Sequence, residues 1–309
     1  MKDLVLMDHD GAIDDLLSQM LLMRMEDKEI LGVTVTPADC YIEPAMESAY
    51  KLCQFMGQEG ISLGRGDYYG INAFPNEWRA RPEVINSLPM LINLPEPPDP
   101  YAYPEAANLI IQKLLSAPQP VTILMTGPCS NLVRALEAEP ACKSKVKQMV
   151  WMAGAFRTQG NVQTYQHDGS AEWNVYWDPV NSAKLVEMEL PLIMIPLDVT
   201  NHVPVNRPFL AKLASQMEFP LSHLAGQMWA LTVDTIPSYH YTYYMWDMLA
   251  TSFLALPEIF TLETVRAKVS VKPPNAGQTM ISADGHLMQI ALDVKKEVFY
   301  EYVWERLRA

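Results

Sequence analysis

Apolar residues in the first two hundred positions fall into short continuous runs, separated by stretches with apolar spacings of three and four. Leu4 to Met7 reads as a buried strand that ends in acids, and Asp14 to Met25 follows as an amphipathic helix. Ile30 to Val35 repeats the strand and Glu43 to Met56 the helix. Val121 to Met125, Val146 to Met152 and Leu192 to Leu197 are further buried strands with helical segments between them. This alternation predicts an α/β fold, an open and mostly parallel central sheet with helices on both faces. Ligands bind such sheets at the strand carboxyl ends, so residues just after each strand are the candidates for chemistry.

Two stretches break the rhythm. Residues 66–104 hold eight of the 24 prolines and little helical periodicity. A connection of that length in a compact domain points to a lid or an insert. A second segment, Tyr239-His240-Tyr241-Thr242-Tyr243-Tyr244-Met245-Trp246-Asp247, is rich in aromatics and precedes an apolar helix from Met248 to Leu256. No repeat or linker divides the chain, so residues 1–309 read as one domain, with 66–104 and 230–245 as candidate covers over a site.

Composition narrows the function class. With 49% hydrophobic and 19% charged residues, a packed core is expected. The 23 Lys and Arg against 36 Asp and Glu leave a net charge of −13 and no basic run, which argues against nucleic acid or an anionic membrane as partner. No apolar run reaches the roughly 20 residues of a membrane span, and the opening residues do not read as a signal peptide. Cys40, Cys53, Cys129 and Cys142 form no C-x-x-C pair and read as scattered core thiols, with a cytoplasmic setting expected.

The strongest local signal is Asp8-His9-Asp10-Gly11-Ala12-Ile13-Asp14-Asp15. Asp8 and Asp10 leave a strand on one side of it, His9 points away, and Asp14 and Asp15 open a helix. Two like charges ~4 Å apart cost about 4 kcal/mol at an effective dielectric of 20, and a divalent cation removes that cost. All-oxygen donors favour a hard ion, Ca²⁺ or Mg²⁺. A helix–loop–helix calcium hand is excluded, because counting from Asp8 puts Gly11 at position four and Gln19 at twelve. A haloacid-dehalogenase-type phosphatase would use Asp8 as nucleophile and Asp10 as acid, but Ala12 stands where its Thr would be, and no later strand ends in an Asp pair.

The Asp-x-Asp block and five more in order make the chain resemble the nucleoside N-ribohydrolases over nearly its whole length. They are Ala38-Asp39-Cys40, Phe74-Pro75-Asn76-Glu77-Trp78-Arg79, Thr126-Gly127-Pro128-Cys129-Ser130-Asn131, then Gly160-Asn161 with Ala171-Glu172-Trp173-Asn174-Val175-Tyr176-Trp177-Asp178-Pro179, and Trp246-Asp247. The family signature Asp-x-Asp-Pro-Gly-x-Asp-Asp lacks its Pro-Gly here, which looks like the purine-specific inosine–adenosine–guanosine branch.

Carried over, the resemblance implies Ca²⁺ held by Asp10, Asp15, Asp247 and the Thr126 carbonyl, with Asp10 as general base toward the attacking water. It implies Asp14, Asp39 and Asn174 on the ribose 2′- and 3′-hydroxyls, Asn161 and Glu172 on the 5′-hydroxyl, and Met152 against the sugar. In the nonspecific branch a His precedes the last metal-binding Asp and protonates the base; here that position is Trp246. Trp78 and Trp246 would then sandwich a purine, with the proton coming from solvent, His240 or a Tyr of 239–244, while Trp177 reads as core. The implied activity is hydrolysis of the N-glycosidic bond of purine ribonucleosides, by a homodimer. A broader purine and pyrimidine range, the Asp8 phosphatase, and a nucleoside-binding protein without catalysis are the alternatives.

Overall fold

The computed structural model describes residues 2–76, 79–99, 101–234 and 242–308. Nine strands form one sheet: β1 Asp3–His9, β2 Lys28–Val35, β3 Ser62–Arg65, β4 Val121–Met125, β5 Val146–Trp151, β6 Leu192–Met194, β7 Phe260–Val269, β8 Thr279–Ile281 and β9 His286–Val294. Their order is β3-β2-β1-β4-β5-β6-β9-β7-β8. Neighbours from β3 through to β9 run parallel, and β7 runs antiparallel to both β9 and β8. The expected α/β architecture is the one observed.

Alternation along β1 explains the two helix layers. Val5 and Met7 join the core built with helices Ile13–Met23, Ile42–Phe55 and Lys296–Leu307. Leu4 and Leu6 join the opposite core, with Ala106–Ser116, Ser130–Ala138 and Pro179–Glu187. A strand buried on both faces must be apolar at every position, hence the unbroken run Leu4 to Met7.

Strand order reverses where β4 follows β1, and a crevice opens at such a switch point. The register levels the strand ends there. Asp8 lies beside Thr34 of β2 and Met125 of β4, and Met125 beside Trp151 of β5. The chain therefore leaves neighbouring strands with Asp10, Thr126 and Met152 on one rim.

Several boundaries differ from expectation. The run Leu192–Leu197 is strand only to Met194, because Pro196 opens a short helix, Leu197–Thr200. The helix expected at Met248–Leu256 instead spans Trp246–Ser252. Its start is set from far away: the Asp14 carboxylate accepts the backbone N–H of Asp247 at 2.6 Å, 233 positions along the chain. Among its described residues, stretch 66–104 contains one short helix, Pro82–Asn86. Its beginning is tied down, with Asn72 donating its N–H to the Trp177 carbonyl at 3.0 Å and its amide to the Tyr176 carbonyl at 2.7 Å. Trp177 is buried, as expected. All four cysteines are buried and free. Among the described residues, no helix is long and apolar enough to cross a membrane.

Candidate active site

Asp8 and His9 leave the end of β1 in opposite directions. The Asp8 carboxylate turns under the sheet end, where its Oδ1 accepts from Thr34 Oγ1 at 2.8 Å, Asn131 Nδ2 at 3.0 Å and Thr36 Oγ1 at 3.4 Å. Burial pushes this carboxyl up to about 7 against those three donors. Three donors hold Asp8 Oδ1 at the sheet end, while its Oδ2 is buried without a hydrogen-bond partner among the described residues. His9 is fully buried on the other side, and its Nδ1 accepts the Gly11 N–H at 3.1 Å. Strand β1 ends at His9, and Asp8 and Asp10 take different hydrogen-bond partners beyond it.

The neighbourhood of Asp10 is acidic. Asp10, Asp14, Asp15 and Asp247 are all buried. The Asp10 carboxyl touches that of Asp15 and accepts the Asp39 N–H at 3.2 Å. Asp15 accepts the Ala12 N–H at 3.0 Å and the Thr126 hydroxyl. Burial, then the charges of Asp15 and Asp39, hold Asp10 well above the usual carboxylate range. Asp247 is raised by burial and then by Asp15, Asp14 and Asp10, and Asp14 by burial, against the pull of the Asp247 N–H. Carboxylates crowded in this way raise one another's affinity for a proton, and equally for another cation.

Among the described residues, no three His, Cys, Asp or Glu side chains are gathered closely enough to hold a metal ion as they stand. Asp15 turns its oxygens to a backbone amide and a hydroxyl. The donor set nevertheless fits a hard divalent ion. It consists only of oxygens, and the Asp14 Oδ1 is buried without a hydrogen-bond partner among the described residues.

Asn174 sits across the crevice. Its Nδ2 donates to the Thr126 carbonyl at 2.8 Å and the Met152 carbonyl at 3.0 Å, which fixes the amide and leaves its Oδ1 as an acceptor. Met152 is buried beside it. Glu172 begins the helix Trp173–Trp177; its oxygens accept the N–H groups of Asn174 at 2.8 Å, Gly154 at 3.0 Å and Val175 at 3.4 Å. Burial still pushes Glu172 up to about 7. Asn161 Oδ1 accepts the Trp173 N–H at 3.1 Å. Asp39 accepts the Ala80 N–H, and burial pushes it to about 7 although the Ala80 N–H and the Arg79 guanidinium pull it down.

Trp246 is half-buried, with the Tyr243 ring edge-on at 4.6 Å and the Tyr244 ring tilted at 5.7 Å. Its Nε1 donates to Asn201 Oδ1 at 3.4 Å, a contact with no local signature in the sequence. Trp78, His240, Tyr239 and Tyr241 lie outside the described residues, as do parts of both candidate covers. A cleft of about 350 Å³ is lined by Cys40, Tyr41, Phe74 and Arg79 on the Asp10 side, and another of about 750 Å³ by Asn201, His202 and Tyr244 on the Trp246 side.

Residues 5–301 match the family described as inosine-uridine preferring nucleoside hydrolase. The chain is 26% identical to the non-specific ribonucleoside hydrolase RihC of Klebsiella pneumoniae, covering 97% of each. It is 24% identical to uridine nucleosidase 1 of Arabidopsis thaliana, over 90% of this chain and 81% of that one. Among solved structures, the inosine-uridine preferring nucleoside hydrolase from Bacillus anthracis superposes with a TM-score of 0.92 at 34% identity, covering 100% of this chain and 99% of the other. The purine-preferring ribonucleoside hydrolase from Gardnerella vaginalis shares the fold, with a TM-score of 0.82 at 20% identity over 99% of this chain and 98% of its own.

Proposed function

This chain belongs to the inosine-uridine preferring nucleoside hydrolase family, and we propose that within that family it is a calcium-dependent hydrolase of purine ribonucleosides. The observation that carries the reading is the buried quartet Asp10, Asp14, Asp15 and Asp247, assembled from distant parts of the chain, with the Thr126 hydroxyl donating to Asp15. Asp10, Asp15, Asp247 and the Thr126 carbonyl would hold the ion, which when bound would offset part of the quartet's charge and acidify a water.

The protein's own groups do the rest. Asp10 takes the proton from the water that attacks the anomeric carbon. Asp14 Oδ1, Asp39 and Asn174 Oδ1 accept from the 2′- and 3′-hydroxyls, Asn174 being held for this by two carbonyls. Asn161 and Glu172 meet the 5′-hydroxyl, both locked around the start of the helix Trp173–Trp177, and Met152 packs on the sugar. Trp246, braced by Tyr243 and Tyr244, stacks on the purine together with Trp78, and so helps the base to leave.

The relatives called uridine nucleosidase and non-specific hydrolase favour a second reading, a base range that includes pyrimidines. One assay separates the possibilities: base release from inosine and uridine, and phosphate release from p-nitrophenyl phosphate, after chelator stripping and again with Ca²⁺. Hypoxanthine release restored by Ca²⁺, with uridine at least about tenfold slower, is expected, since a smaller ring loses stacking area. Equal uridine turnover would discard purine preference, and full activity in chelator would discard the metal.

Trp246→Ala is expected to lower kcat/KM for inosine by about 10- to 100-fold, the range of base–aromatic stacking, with Trp246→Phe keeping most of it. A loss no larger than the accompanying loss of folded protein would mean that Trp246 serves packing only.

A further inference from the structure

A side chain from the edge strand β8 holds the loop on which Glu172 leans. Glu172 Oε2 accepts the Gly154 N–H at 3.0 Å, and Gly154 lies two residues beyond Met152 in the loop that leaves β5. Gly154 turns that loop with a φ of +86°, where only glycine is at ease. The next peptide is held at both ends. Its carbonyl, that of Gly154, accepts the Leu197 N–H at 2.9 Å, and its N–H, that of Ala155, donates to Thr279 Oγ1 at 3.0 Å. The Thr279 hydroxyl donates in turn to the Ala155 carbonyl at 2.8 Å, so one side chain satisfies both polar groups of Ala155. Thr279 and Ala155 are both buried, and 124 positions separate them along the chain.

Thr279 opens β8, and the turn before it presses on the helix that Glu172 begins: a Cβ on Gly277 would lie 2.6 Å from Tyr176 Cα. The loop after β5 and the helix Trp173–Trp177 therefore share one brace. Locking Ala155 locks the torsions around Gly154, and with them the direction of the Gly154 N–H, one of three donors on the buried Glu172 carboxylate. We infer that Thr279 is a positioning residue for the 5′-hydroxyl subsite, its hydroxyl holding the loop so that Gly154 keeps Glu172 aimed at the ribose. This rests on the reading of Glu172 as a partner of the 5′-hydroxyl. A threonine that served packing alone would affect substrates with and without that hydroxyl alike.

The test compares kcat/KM for inosine and 5′-deoxyinosine in wild type, Thr279→Val and Thr279→Ser, with the melting temperature of each protein. Wild type is expected to prefer inosine by about 100-fold, the upper range for a hydrogen bond to a charged group. Thr279→Val keeps the shape without the hydroxyl and is expected to cut that preference about tenfold, the lower end of the same range, while kcat/KM for 5′-deoxyinosine holds. Thr279→Ser keeps both bonds and is expected to stay within about threefold of wild type. If Thr279→Val does not fold, the smaller Thr279→Ala is measured in its place against the same expectation. A preference unchanged without the hydroxyl, or Thr279→Ser losing as much as Thr279→Val, would make Thr279 a packing residue and overturn the proposal. Wild type with no preference for inosine would overturn the Glu172 reading and this proposal with it, a result visible before any variant is made.

Discussion

2′-Deoxyinosine is expected to be hydrolysed about 10⁴-fold less efficiently than inosine, judged by kcat/KM. The reason lies in what a missing hydroxyl leaves behind. Asp14 Oδ1 is buried and unpartnered among the described residues, because its sister oxygen is committed to the Asp247 N–H. Asn174 is likewise committed through its Nδ2, so only Oδ1 can face a sugar. Substrate hydroxyls satisfy these acceptors; without them the acceptors remain desolvated and unpaired, and sites built to bond a hydroxyl reject its absence by 10⁴ to 10⁵. Steady-state kinetics with inosine, 2′-deoxyinosine and 3′-deoxyinosine would check this. A ratio below about tenfold would place the ribose elsewhere than at Asp14, Asp39 and Asn174.

Asp10→Asn is expected to lower kcat by about 10³-fold or more, within or above the range for loss of a general base, because the same residue would also ligate the metal. The substitution is nearly isosteric, and the new amide oxygen can still accept the Asp39 N–H. Stability should move the other way. Burial, Asp15 and Asp39 disfavour the charged form of Asp10, and a neutral amide carries none of that cost. The metal-free melting temperature is therefore expected to hold or rise while turnover collapses. A parallel fall of both would mark Asp10 as a folding residue, and retained turnover would remove it from the chemistry.

The residues of the candidate site differ in how far the sequence marks them. Asp10 and Asp15 were readable because strand end, turn and helix start lie within a few residues, and local periodicity marks each. Trp246 and Asp247 acquired meaning only through resemblance, since an isolated Trp-Asp pair carries no pattern. Asp8 shows the limit of local reading: same-side spacing suggested a partner for Asp10, whereas Thr34, Thr36 and Asn131 draw it away.

By itself the sequence determined the parallel α/β plan of the first two hundred residues, the acid cluster after β1 and membership of the hydrolase family, because period, run length and short spacing are properties of neighbouring residues. Tertiary structure decided which acids meet. It brought Asp14 to the start of the helix Trp246–Ser252, set β7 antiparallel between β9 and β8, and stitched Asp10 to Asp39. Each of these depends on strand register and on chain brought together from distant positions, and no local window of residues contains that information.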